Sequence, residues 1–85
     1  MKLKTDEFEN YAKRNGVSAN TMLKKLGGGK LTYNQLKRGK GIGYDIARDM
    51  YNALGEWTFL MLIDLEEETL DGFKSKFVQV GTKLY

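Results

Sequence analysis

The sequence predicts a small, mainly α-helical domain of four to five helices that ends in a β-strand or hairpin, and three observations carry that reading. Apolar residues recur at three- and four-residue spacing through the first 55 positions, and each such run stops at a glycine. The tail at 73–80 instead combines Phe and Val with interleaved polar residues. With 85 residues, 41% of them hydrophobic, and no cysteine, the chain has material for one core and no disulfide framework. Residues 1–85 are therefore expected as a single domain, with a helical core over 1–55 and an extension over 56–85.

Each element has its own signal. Thr5 is suited to cap a first helix, with Asp6 and Glu7 in its first turn and Phe8, Tyr11 and Ala12 forming the apolar stripe; Asn15-Gly16 ends it. Ser18 caps a second helix that gathers Met22, Leu23 and Leu26 on one face, and Gly27-Gly28-Gly29 stops it. A third helix over about 30–38 has only Tyr33 and Leu36, aided by Leu31, as apolar anchors, and Gly39 closes it. Most of that helix must face solvent or a ligand. A fourth helix turns Tyr44, Ala47, Met50, Tyr51 and Leu54 inward and ends at Gly55.

Residues 57–65 are apolar on every side, so periodicity does not separate a buried helix from a strand; a fifth helix is the preferred reading. Glu66-Glu67-Glu68 and Asp71-Gly72 read as an exposed connection and a turn. The strand expected at 73–80, turned at Gly81, needs a partner for its backbone, and the same strand of a second copy would supply one as a dimerisation element.

Composition narrows the function. Without cysteine or histidine the chain lacks thiol nucleophiles, the usual general base and the commonest transition-metal ligand, so an enzyme, a metal, a cofactor or a small-molecule substrate is not expected. The N-terminal lysines precede no apolar run, and the apolar stretch 59–63 is too short for a bilayer, so a cytoplasmic protein without membrane association is expected. Charge is unevenly spread. Residues 10–44 hold Lys13, Arg14, Lys24, Lys25, Lys30, Lys37, Arg38 and Lys40 with no acidic residue, whereas residues 56–85 hold three lysines against six acids. Such asymmetry suits a polyanion, although a merely solvated basic surface gives the same pattern.

The run from Val17 through Leu26-Gly27, then Lys30-Leu31-Thr32-Tyr33-Asn34-Gln35-Leu36-Lys37-Arg38-Gly39-Lys40, resembles the helix-turn-helix of the phage repressor and Cro (XRE-type) family. The likeness rests on register: a polar cap opening a helix that ends in an apolar residue plus Gly, two apolar positions three apart, a closing Arg38-Gly39-Lys40, and Ala53-Leu54-Gly55 at the end of the fourth helix. It runs without gaps over residues 8–55. Three positions depart from the family pattern. Leu23 stands where a small residue is usual, with Gly28 offered as compensation; Lys37 replaces a common glutamate; Ile42-Gly43 replaces a common helix-opening pair.

The resemblance implies a lambda-repressor-like or Cro-like domain that binds double-stranded DNA as a transcriptional repressor of phage or mobile-element type. It implies a homodimer on a pseudo-palindromic operator, with helix 30–38 in the major groove. On its register Lys30, Leu31, Thr32 and Gln35 face the bases, and Ser18, Ala19, Asn34, Arg38 and Lys40 are placed for phosphates. Lys30 suits guanine O6 and N7, Gln35 adenine N6 and N7, and Leu31 or Thr32 a thymine methyl.

Other motifs are weaker. Gly27-Gly28-Gly29-Lys30 lacks the following Ser or Thr and the preceding strand of a phosphate-binding loop, and Gly39, Gly41 and Gly43 lack dinucleotide-fold spacing. Asp64, Glu66, Glu67, Glu68 and Asp71 do not follow a calcium-loop pattern and read as a solvated connection. The rival function is a helix-turn-helix-fold interaction module, such as a phage-type inhibitor or accessory factor that binds a protein partner; the apolar 57–65 segment and the tail favour it.

Overall fold

The structure, a computed structural model, describes residues 1–27 and 31–82. The described chain is mainly α-helical: β1 (Lys2–Leu3), α1 (Thr5–Arg14), α2 (Ala19–Lys25), α3 (Tyr33–Lys37), α4 (Tyr44–Leu54), α5 (Glu56–Leu62), β2 (Ile63–Asp64) and α6 (Leu70–Thr82). None of these helices is long and apolar enough to cross a membrane.

The first four helices follow the apolar spacing. Phe8 and Ala12 of α1, Met22 and Leu23 of α2, Tyr33 and Leu36 of α3, and Ala47 and Met50 of α4 are all buried and meet in one core. The end of α1 is closed by two backbone bonds, Gly16 N–H to Lys13 C=O (3.0 Å) and Val17 N–H to Ala12 C=O (3.1 Å), which satisfy the carbonyls left open by the last turn. Its start differs from expectation. Lys4, not Thr5, is the capping position, because the Lys4 N–H donates to Leu62 C=O (2.8 Å) and sets the entry of the chain; Thr5 is already helical.

The two strands pair antiparallel, Lys2 opposite Asp64 and Leu3 opposite Ile63, with Leu3 and Ile63 buried and Lys2 and Asp64 exposed. At two residues each they are too short to show a period-two pattern. The preferred helix over 57–65 is α5, but it stops at Leu62, where β2 begins.

The expected C-terminal strand is corrected: residues 70–82 form α6. Thr69 supplies the start signal, its hydroxyl accepting the Gly72 N–H (3.0 Å) and its carbonyl the Phe73 N–H (2.9 Å). Leu70 and Phe73, three apart, then face inward, and Phe73 is fully buried. Its ring stacks on Phe59 (centroids 5.2 Å apart) and meets Tyr44 and Tyr51 edge-on at 5.6 and 5.7 Å. Burial of this aromatic group outweighs the strand preference of the sequence and the turn signal of Asp71-Gly72. Lys74 reinforces the docking through Glu56 (2.8 Å), and Tyr51 O–H donates to the same carboxylate (3.2 Å). The hydrogen bond and charge of Lys74, aided by the Tyr51 hydroxyl, hold the Glu56 carboxyl below its usual range, and the Glu56 carboxylate holds the Lys74 ammonium above its own.

Gly27 fixes the exit from α2. Its φ is +97°, and a Cβ there would lie 2.8 Å from the Cβ of Asp49 on α4, an atom close to the backbone that has no room to swing away. Gly16 has φ +70° but open space around it. Gly16→Ala is expected to lose about 1 kcal/mol for backbone conformation alone, and Gly27→Ala about 2–4 kcal/mol because the clash with α4 adds to it. Urea denaturation of the two variants side by side measures the difference; equal losses would mean that α2 and α4 do not approach so closely at Gly27.

Candidate nucleic-acid interface

α2 and α3 are held as a unit from within. Leu23, the large residue where a small one is usual, has no exposed surface and sits in the core with Met22, Tyr33 and Leu36. Gly28, offered as its compensation, lies outside the described residues. The two helices remain tied at the turn: Asn20 Oδ1 on α2 accepts the Tyr33 N–H, the first of α3, at 3.2 Å. Tyr33 in turn stacks on Phe8 of α1 (6.0 Å), and its O–H donates to Thr5 C=O (3.2 Å). Burial, reinforced by the nearby Glu9 carboxylate, pushes the Tyr33 phenol up to about 12, so it remains a donor at any physiological pH.

The expected helix over about 30–38 is shorter than that. α3 starts at Tyr33, and Thr32 is its cap: Thr32 Oγ1 accepts the Gln35 N–H (3.3 Å) while Gln35 Oε1 accepts the Thr32 N–H (3.1 Å). This reciprocal capping box makes five residues a stable helix, since the Ser/Thr-x-x-Gln pattern satisfies a donor at each end of the pair. The far end is closed by Gly39 N–H to Leu36 C=O (3.0 Å) and Lys40 N–H to Gln35 C=O (3.1 Å).

The residues expected to face bases divide accordingly. Lys30 lies outside the described residues. Leu31 is half-buried against the core, which draws it from a base edge. Thr32 and Gln35 are exposed together on one surface, with their oxygens engaged in the capping box. The capping bond uses one lone pair of Gln35 Oε1, so the amide keeps its NH₂ group and a second acceptor lone pair for a base edge. The NH₂ group suits an acceptor such as a purine N7, and adenine pairing through both atoms is compatible with the box.

The residues expected at phosphates also fall into two groups. Asn34 on α3 and Arg38, the C-cap four residues on, are both exposed, and Lys40 is exposed just beyond. Ser18 is occupied as the cap of α2, accepting the Thr21 N–H at 3.1 Å and donating to Thr21 Oγ1 at 2.9 Å. Ala19 is half-buried against the core.

The residue that the sequence reading missed is Lys24. It lies one turn beyond Asn20 on the side of α2 that meets the start of α3, and its i+4 spacing from Asn20 was the available signal. Lys37 leans the other way, toward Glu9 of α1 at 3.9 Å.

Charge on this surface is largely uncompensated. Among the described residues Lys24, Lys25, Arg38 and Lys40 form no ion pair, while the acids nearest this surface are Glu9, beside Lys37 (3.9 Å), and Asp49, against Gly27. Compared with protein-family models, curated proteins and solved structures, the chain matches none of them.

Proposed function

We propose that this chain is a sequence-specific double-stranded DNA-binding protein of the small Cro or repressor kind. It presents α3 to the major groove with α2 across the backbone, and it acts in the cytoplasm as a homodimeric transcriptional regulator on a pseudo-palindromic operator. The observation that carries the reading is the α2–α3 surface: a five-residue helix is braced by a capping box and two buried anchors, its exposed side bears Asn34 and Gln35, and Arg38 at its C-cap, Lys40 and Lys24 border it without ion-pair partners among the described residues. A basic surface beside a short, rigidly held helix suits a groove lined by phosphates, because counterion release supplies affinity and the helix supplies base contacts. Gln35 and Thr32 read base edges, and Asn34, Arg38, Lys40 and Lys24 bind phosphates.

The test is fluorescence anisotropy with duplex DNA from upstream of the chain's own gene beside a scrambled duplex, at about 150 mM salt, where non-specific binding is no tighter than ~1 µM. The upstream duplex is expected to bind at least about 100-fold more tightly. Arg38→Ala is expected to weaken both duplexes alike and to reduce the slope of log K against log salt by about 0.9, the contribution of one phosphate. Equal, weak and salt-insensitive binding to both duplexes would overturn the reading in favour of a protein partner.

A further inference from the structure

The tail that the sequence offered as a strand-pairing dimer element is helix α6, docked on its own chain through Phe73, so residues 70–82 offer no strand edge to a second copy. One surface is conspicuous for its chemistry. Trp57 on α5 is 85% exposed and Met61, one turn on, is 44% exposed, although every neighbouring apolar residue of α5 is at least half-buried. Met61 is the ridge between two grooves that α5 forms with α1. One groove is lined by Lys4, Glu7, Trp57, Leu60 and Met61, the other by Tyr11, Arg14, Asn15, Thr58 and Met61. Trp, Tyr, Met and Arg are the residue types enriched where protein surfaces meet, and an indole left this open to water is a cost that the fold itself does not require.

Charge identifies the occupant. Glu7 lies in one groove, beside a Lys4 whose ammonium donates to Leu60 C=O (3.2 Å), and Arg14 lies in the other, at opposite ends of the same face; neither Glu7 nor Arg14 forms an ion pair among the described residues. A two-fold axis near Met61 exchanges the two ends, setting Glu7 of one copy against Arg14 of the partner subunit twice over. Trp57 is then carried into the other copy's groove. Self-complementarity of this kind is what an isologous interface demands and what an unrelated partner has no reason to match. We propose that the α1–α5 face, centred on Trp57 and Met61, is the homodimer interface of this protein. The inference supplies the second reading head that the DNA-binding proposal requires and rests on it for its purpose, not for its physical argument.

The experiment is sedimentation velocity of the full chain without DNA over roughly 1–200 µM, the range for an interface of modest size. A monomer–dimer equilibrium is expected, and Trp57→Ser, at a site too exposed to disturb folding, is expected to weaken it by about tenfold or more. Glu7→Arg and Arg14→Glu should each weaken it, and the double variant should recover to within about threefold of the original, since the exchanged charges meet again across the axis. A monomer at every concentration, or a dimer indifferent to Trp57→Ser, overturns the proposal; failure of the double variant to recover overturns the two-fold pairing. Anisotropy on the same samples keeps the two readings apart. A dimer without specific DNA binding removes the regulatory function and leaves the interface, whereas a monomer that still prefers its own upstream duplex does the reverse.

Discussion

Gln35→Glu is expected to leave the domain folded and to lower its affinity for specific DNA by about 100-fold or more. The two effects separate because Gln35 has two duties. Its Oε1 accepts the Thr32 N–H in the capping box, a role that a glutamate oxygen performs equally well and that its charge favours near a helix start, so stability should change by no more than about 0.5 kcal/mol. Its NH₂ group is the donor facing outward, and a carboxylate removes both donors while placing a negative charge against phosphates and acceptor-rich base edges. Thermal melting followed by circular dichroism, with anisotropy on the upstream duplex, measures both quantities. A variant that melts normally and binds normally would show that Gln35 does not face the groove, and α3 would then need another register.

Phe73→Ala is expected to cost about 3–5 kcal/mol, the loss typical of truncating a fully buried phenylalanine. Phe73 has no exposed surface and joins three helices: Phe59 of α5 stacks on it at an interplanar angle of 10°, and Tyr44 and Tyr51 of α4 meet it at 66°. Removing the ring leaves a cavity and takes away the one fully buried side chain of α6 among the described residues. Small domains have only about 5–15 kcal/mol in total, so the variant should show a much lower urea midpoint and reduced helical signal even without denaturant. A loss under about 1 kcal/mol would mean that α6 is not docked through this ring. The pair between Glu56 and Lys74 adds little by comparison because both groups are exposed. Since the Glu56 carboxyl is lowered in the folded state, its small contribution is present at neutral pH and fades as pH falls through that lowered value.

Much of this domain was legible in the amino-acid order because its helices advertise themselves locally. Ser18 caps α2 through Thr21, glycines follow α1, α2, α3 and α4, and the spacings of Phe8 and Ala12, of Tyr33 and Leu36, and of Ala47 and Met50 place the buried faces. Each of these signals operates within four or five residues, which is the range over which sequence alone determines conformation. The basic, acid-free span through α2 and α3 is likewise a property of order, and it points to the candidate surface.

Other features depended on contacts between residues distant in the chain. The pairing of Leu3 with Ile63 joins strands of two residues separated by most of the sequence, and no local periodicity records it. Residues 70–82 carry strand-forming side chains and an Asp-Gly turn signal, yet they are helical, because only a helix capped by Thr69 delivers Phe73 to the ring cluster of α4 and α5. The start of α3 was decided in the same way. Leu31 is drawn toward the core and Asn20 receives the Tyr33 N–H, so the helix begins at Tyr33 and the Thr32–Gln35 box sets what the candidate surface displays. Sequence order thus determined the helical class and the charge of the surface, whereas tertiary burial, whose free energy exceeds any local propensity, decided the sheet, the C-terminal helix and the reach of α3.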